Sequence, residues 1–196
     1  MQYPLDLRFK IAAIASQIYV TDASGNTVFY VKQKLFKLKE NIEIFTDSTK
    51  TQKIYTVKAD RIIDFSPEFT LYNAQDQALG SVKRFGRKSI WKSNYEVKVG
   101  PSVHLKVQEL NPWAKVADSF FGEIPFVGML SGYFFHPKYS VTDATTGQTV
   151  AGLEKRPAFL EGLYRLDHQN STYDESSQHI FAALMMVVVL RERMRG

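Results

Sequence analysis

The residues with the most chemical potential in this chain are its cations, because of where they fall. Lys32, Lys58, Lys83 and Lys155 each close a short β-rich run. Further cations follow each of them: Lys34, Lys37 and Lys39 after the first, Arg61 after the second, Arg84, Arg87, Lys88 and Lys92 after the third, and Arg156 after the fourth. Arg191, Arg193 and Arg195 then crowd the last few positions. Clustered Lys and Arg are the chemistry of phosphate and anionic-surface recognition, at about 1 kcal/mol per basic residue near a charged lipid surface. The same residues at strand ends also serve solubility and discourage edge pairing. Catalytic chemistry has no comparable basis. The chain contains no phosphate-cradling glycine loop, no nucleophile elbow and no His-Glu-x-x-His. His104, His136, His168 and His179 are far apart, and none has a second ligand at helical metal spacing. Asp167, Asp174 and Glu175 gather before the last segment. A hard-cation site needs several oxygens converging on one ion, and acids in that position read as helix-capping charge. No catalytic residue, metal or cofactor is expected, and the protein reads as non-enzymatic.

Composition sets the frame for those cations. The 196 residues suffice for one domain, 1–196, with a substantial core, and 44% of them are hydrophobic. The net charge of +5 is uneven: residues 1–98 hold 16 Lys and Arg against 10 Asp and Glu, and residues 99–196 hold 9 against 10. There is no cysteine, so no disulfide framework and no thiolate chemistry. The first ten residues, Met-Gln-Tyr-Pro-Leu-Asp-Leu-Arg-Phe-Lys, lack the apolar core of a signal peptide. A cytoplasmic protein is expected, at most peripheral to a membrane.

The elements that must position the cations show themselves as a repeat. Ile18-Tyr-Val-Thr-Asp22 leads through Gly25-Asn26 to Val28-Phe-Tyr-Val-Lys32, and Ile42-Glu-Ile-Phe-Thr-Asp47 leads to Ile54-Tyr-Thr-Val-Lys58. Phe69-Thr-Leu-Tyr-Asn73 leads to Leu79-Gly-Ser-Val-Lys83, and Tyr139-Ser-Val-Thr-Asp143 leads through Gly147 to Val150-Ala-Gly-Leu-Glu-Lys155. Each unit is a β-rich run, an Asx or Gly turn and a second β-rich run, the signature of a hairpin. Residues 95–99 and 103–109, joined by Gly100-Pro101, make a fifth. With one or two strands before Ile18 and one at residues 163–169, about a dozen strands result. Evenly spaced hairpins with little helix between them predict a meander, and closing it removes its edges.

A barrel of a dozen strands encloses more space than its own side chains fill. The one candidate to fill it is the unbroken apolar run 180–190, Ile-Phe-Ala-Ala-Leu-Met-Met-Val-Val-Val-Leu. As a helix, those eleven residues cover roughly 17 Å, too short for a bilayer. Thr172-Tyr-Asp-Glu175 reads as a capping box, and the Arg-rich end suits a helix C-terminus. Apolar on every side, the helix should be surrounded on every side. The predicted fold is mainly β, a closed antiparallel barrel of about 12 strands around a buried hydrophobic C-terminal α-helix. Parity then places Lys32, Lys58, Lys83 and Lys155 at one end, and a helix entering from the other end returns Arg191, Arg193 and Arg195 to them.

The hairpin unit with its trailing Lys, the stretches Lys83-Arg-Phe-Gly and Trp91-Lys-Ser-Asn-Tyr-Glu-Val, and the terminal apolar helix together resemble the LURP-one-related branch of the tubby C-terminal-like superfamily, which includes the phospholipid scramblases. The resemblance runs along nearly the whole chain and implies a closed twelve-stranded barrel threaded by a hydrophobic C-terminal helix. It also implies phosphoinositide-like ligands held by basic residues. Two features depart from the family pattern: the Arg-rich tail, and the apolar segment 120–135, which opens with Phe120 and Phe121 and closes with Phe134 and Phe135.

Two functional readings follow. The first is a binding module that takes an anionic phospholipid headgroup or phosphate at a basic rim made of Lys32, Lys34, Lys58, Lys83, Arg84, Arg87, Lys88, Lys155, Arg156, Arg191 and Arg193. The second is a structural or oligomerisation protein whose partner, a second protein or a second copy, meets residues 120–135, since aromatic segments form membrane or subunit contacts as well as core caps. Lipid scrambling would require the helix to cross a membrane, which its length opposes. Nucleic acid is not expected, because no recognition helix or aromatic sheet motif accompanies the cations.

Overall fold

The computed structural model describes residues 1–11, 15–34, 41–60, 67–85, 93–110, 136–158, 161–168 and 173–193. Its hairpins begin at turns that the sequence writes repeatedly in the same way. Asp22 Oδ1 accepts from the backbone N–H groups of Ser24 and Asn26 at 3.0 and 2.9 Å. Asn73 Oδ1 does the same for Gln75 and Gln77, and Asp143 Oδ1 for Thr145 and Thr146. Asp47 Oδ1 takes the N–H of Thr49 at 2.8 Å. A short acceptor side chain that bonds its own backbone two to four residues on fixes the reversal, so an Asp or Asn sets the turn in each of these four hairpins. Gly25 and Gly147 carry the positive φ, 83° and 73°, that two of these reversals require.

Twelve strands result: β1 (Leu5–Ile11), β2 (Ala15–Thr21), β3 (Thr27–Lys34), β4 (Ile42–Phe45), β5 (Lys53–Ala59), β6 (Glu68–Tyr72), β7 (Ala78–Phe85), β8 (Asn94–Val99), β9 (Val103–Glu109), β10 (Lys138–Asp143), β11 (Thr149–Arg156) and β12 (Glu161–His168). Each pairs antiparallel with the next, and β12 returns to β1 with Leu5 opposite Leu166, so the sheet is a closed barrel. The seam between β3 and β4 is the thinnest, with Tyr30 opposite Phe45 as its single paired position among the described residues. Along every strand, alternate residues face inward: Leu5 and Leu7, Ile18 and Val20, Leu105 and Val107 are wholly buried.

The remaining element among the described residues is the helix α1 (Glu175–Arg193). Every residue from Phe181 to Val189 is at most 1% exposed, on all faces of the helix, so the barrel surrounds it. The expected mainly-β barrel around a C-terminal helix is therefore the observed fold. The start of the helix differs in detail from the expected capping box. Asp174 is the cap: its Oδ1 accepts from Ser177 N–H at 2.8 Å and its carbonyl from Gln178 N–H at 3.0 Å. Thr172 lies outside the described residues. Among the described residues, no helix is long and apolar enough to cross a membrane.

Candidate functional site

Odd-numbered strands run toward the end of the barrel where α1 finishes, and even-numbered strands run away from it. Call this the exit end and the other the entry end. Strand alternation then decides which of the polar residues near the exit end look inward. On β7, Val82 is buried and Arg84 stands two residues further along the same face; on β9, Leu105 and Val107 lead to Glu109; on β11, Ala151 and Leu153 lead to Lys155. Tyr95 on β8, Tyr139 on β10 and Tyr164 on β12 are inward and buried. Register brings them side by side: Arg84 opposite Tyr95, Glu109 opposite Tyr139, Lys155 opposite Tyr164. Six consecutive strands, β7 to β12, thus each contribute one inward polar side chain near the exit end. On β1 and β6 the corresponding positions are aromatic, Phe9 and Phe69.

The last turn of α1 enters this ring with Arg191, Glu192 and Arg193. Glu192 is buried, and its carboxylate accepts from Tyr95 Oη at 2.5 Å, Ser93 Oγ at 2.8 Å and Tyr139 Oη at 3.1 Å. The Arg191 guanidinium lies 4.7 Å over the Phe69 ring, and that of Arg193 lies 4.9 Å over Phe9. Gly162 on β12 makes room for Arg193, since a Cβ there would fall on its guanidinium. Glu109 is fully buried and takes the Ser93 N–H at 3.3 Å. Burial, reinforced by the negative Glu192, pushes the Tyr139 phenol far above its ordinary range. Burial pushes Tyr164 up to about 12, with Arg193 opposing. Both phenols are neutral donors at physiological pH. The Arg84 Nε is buried and has no hydrogen-bond partner among the described residues.

The cations singled out from sequence separate into groups. Arg84, Lys155, Arg191 and Arg193 share the inside of the exit end. The helix therefore delivers its arginines to the end that parity assigned. Lys32 is exposed on the outer wall. Lys83 is also outward, opposite Glu68 on one side and Glu96 on the other. Lys58 departs from the expected rim: its Nζ lies 4.6 Å over Tyr72 and bonds Asp76 Oδ1 at 2.5 Å, in the turn at the entry end. A long side chain can follow the aromatic ring of the neighbouring strand to a carboxylate rather than the direction of its own strand. Arg156 is paired with Glu154 at 3.4 Å, which also holds Lys138 at 3.0 Å. Lys34 ends β3, while Arg87, Lys88 and the aromatic segment 120–135 lie outside the described residues. Among the described residues, no group of His, Asp and Glu side chains is placed to hold a metal ion.

Sequence reasoning missed the acids and hydroxyls of this end: Glu192, Glu109, Ser93, Tyr95 and Tyr139. The signal for Glu109 was present, since Val103-x-Leu105-x-Val107-x-Glu109 puts an acid on an inward face. Residues 27–123 match the protein family described as LURP-one-related, a span running from β3 through β9. No curated protein and no solved structure matches the chain.

Proposed function

The chain carries a LURP-one-related domain over residues 27–123, and from that premise we propose that it is a non-enzymatic binding module whose basic exit end receives an anionic lipid headgroup or a phosphate group. One observation carries this reading: two helix arginines, Arg191 and Arg193, end inside the barrel at the same end as Arg84 of β7 and Lys155 of β11. Four cations from three elements that are distant in sequence are more than helix capping or strand-end solubility asks for. Lipid headgroups and free phosphates share the charged oxygens that Lys and Arg recognise.

Co-sedimentation with vesicles tests it. Binding to phosphatidylserine–phosphatidylcholine vesicles should exceed binding to phosphatidylcholine alone, and should weaken as salt shortens the screening length. Replacing Lys83, Arg84, Arg87 and Lys88 together by Glu should abolish it. A wild-type protein that ignores anionic vesicles and inorganic phosphate alike at low salt overturns the reading.

A further inference from the structure

Deepening that reading, and resting on it, we infer that the exit end docks on an anionic membrane surface, with Phe85 and Leu110 entering the membrane interface as two apolar anchors. These are the large hydrophobic residues that stand exposed among the described residues, at 50% and 65%. Phe85 closes β7 and Leu110 directly follows β9, so both lie at the exit end. Alternation turns both outward, since Arg84 and Glu109 before them face inward. Register sets their spacing: Phe85 lies opposite Asn94, Asn94 lies opposite Gln108, and Leu110 is two residues beyond Gln108 on the same face. Two strand spacings and two residues of rise separate them by about 12 Å. The Leu110 N–H donates to the Lys138 carbonyl at 2.8 Å, so its side chain projects from a point fixed to the sheet.

What surrounds these anchors decides the partner. Phe85 lies within the run Lys83-Arg84-Phe85-Gly86-Arg87-Lys88, four cations in six residues with no acid among them. Glu68 and Glu96, on the strands beside it, stand opposite Lys83, two residues below Phe85 on the wall. Glu109, next to Leu110, is buried. The last turn of α1 brings Arg191 and Arg193 to the same end. An apolar side chain flanked by Lys and Arg matches the interface of an anionic bilayer, where the apolar tip enters the acyl boundary and the cations stay with the headgroups. A protein partner fits less well: the centre of a protein interface is depleted in Lys and needs contiguous apolar area, whereas these two side chains stand apart. Stable membrane association also takes two signals. Cations supply an attraction that salt screens, and the anchors add a part that salt does not remove.

The chain has no cysteine, so single cysteines can be introduced and labelled without interference. Phe85→Cys and Leu110→Cys, each carrying a polarity-sensitive dye, are titrated with phosphatidylserine–phosphatidylcholine vesicles, with Ser48→Cys in the exposed β4–β5 turn at the entry end as the control. The dyes at positions 85 and 110 should brighten and shift to the blue, and the dye at position 48 should not. In co-sedimentation at high salt, Phe85→Ser and Leu110→Ser should each weaken vesicle partitioning about tenfold, the loss of one apolar anchor. Both positions are exposed in the free protein, so the serine variants should keep the wild-type urea midpoint. Vesicle binding with unresponsive dyes at positions 85 and 110 overturns the docking surface and leaves the binding-module reading standing. Dyes that respond to protein concentration without vesicles overturn it in favour of a second copy of the chain. Thermal stabilisation by inorganic phosphate without vesicle binding overturns it and identifies a free phosphate as the ligand. If wild type binds neither vesicles nor phosphate, both readings fall.

Discussion

Glu192 sits between two arginines in sequence and beneath three hydroxyls in space, which makes it the most tightly determined side chain of the exit end. Its donors lie 53, 97 and 99 residues away, so nothing near it in the chain announces the cluster. Alternation within a strand, by contrast, is local, and it marks Arg84, Glu109 and Lys155 as inward-facing. Reading cations by their position at strand ends gives the correct end of the barrel for Arg84 and Lys155 but not for the Lys58 ammonium; only the two-residue period gives the correct face. The cluster predicts unequal costs. Tyr95→Phe removes a hydrogen bond to a buried carboxylate and should lower unfolding free energy by about 1.5–3 kcal/mol, measured by urea denaturation. Glu192→Ala should cost about 3 kcal/mol or more, because it deprives three hydroxyls of this acceptor at once. A smaller effect than Tyr95→Phe would show that Glu192 does not organise these residues.

At the scale of elements, α1 shows why composition made the helix legible and why its first turn was misjudged. A run apolar on every side admits one placement in a barrel too wide to fill itself, whereas the capping residue depends on a choice between neighbours, and Asp174 takes the N–H of Ser177. Asp174→Ala should lower the urea midpoint, because it removes the helix cap. Leu184→Ala, which opens a cavity where the helix is wholly buried, should cost about 2–5 kcal/mol, and the two losses should add because the sites share no partner. Gly80→Ala reports the fit of helix to sheet: a Cβ there would press on the Lys98 carbonyl and on Leu184 Cδ1, so the strand must shift. The Asx turns contribute a pH dependence. The Thr49 hydroxyl and N–H hold Asp47 below its usual range, the N–H groups of Thr146 and Thr145 do so for Asp143, and Ser177 does so for Asp174. Their folded pKa values are depressed, so this stabilisation is present above about pH 4 and is lost as pH falls through the folded values. Urea midpoints across acid pH should show the loss shrinking in Asp47→Asn and Asp143→Asn.

Taken whole, the molecule has two unlike ends. The exit end gathers arginines and buried carboxylates, while the entry end packs imidazoles among aromatic rings: His168 against Tyr3, Tyr173 and Phe181, and His179 against Phe29. Burial lowers both imidazole pKa values. The unfolded chain therefore takes up protons that the folded chain refuses, and stability should decline as pH drops below about 6.5. His168→Phe with His179→Leu should flatten that decline in urea titrations between neutral and mildly acid pH; an unchanged slope would show that these rings are not its source. The order of elements adds a question of timing. Twelve strands leave the ribosome before the one element that can fill their ring, so a barrel closing on schedule would shut out its own core. The expected outcome is a ring that stays open until the helix arrives, and the β3–β4 boundary, joined at one position among the described residues, is where it has least to undo. A chain ended at residue 173 should bind hydrophobic dye and yield quickly to protease. A peptide of residues 174–196 added afterwards should restore resistance. Delivery of the helix would then act as a checkpoint: the fold is not merely filled by residues 175–193 but withheld until they arrive.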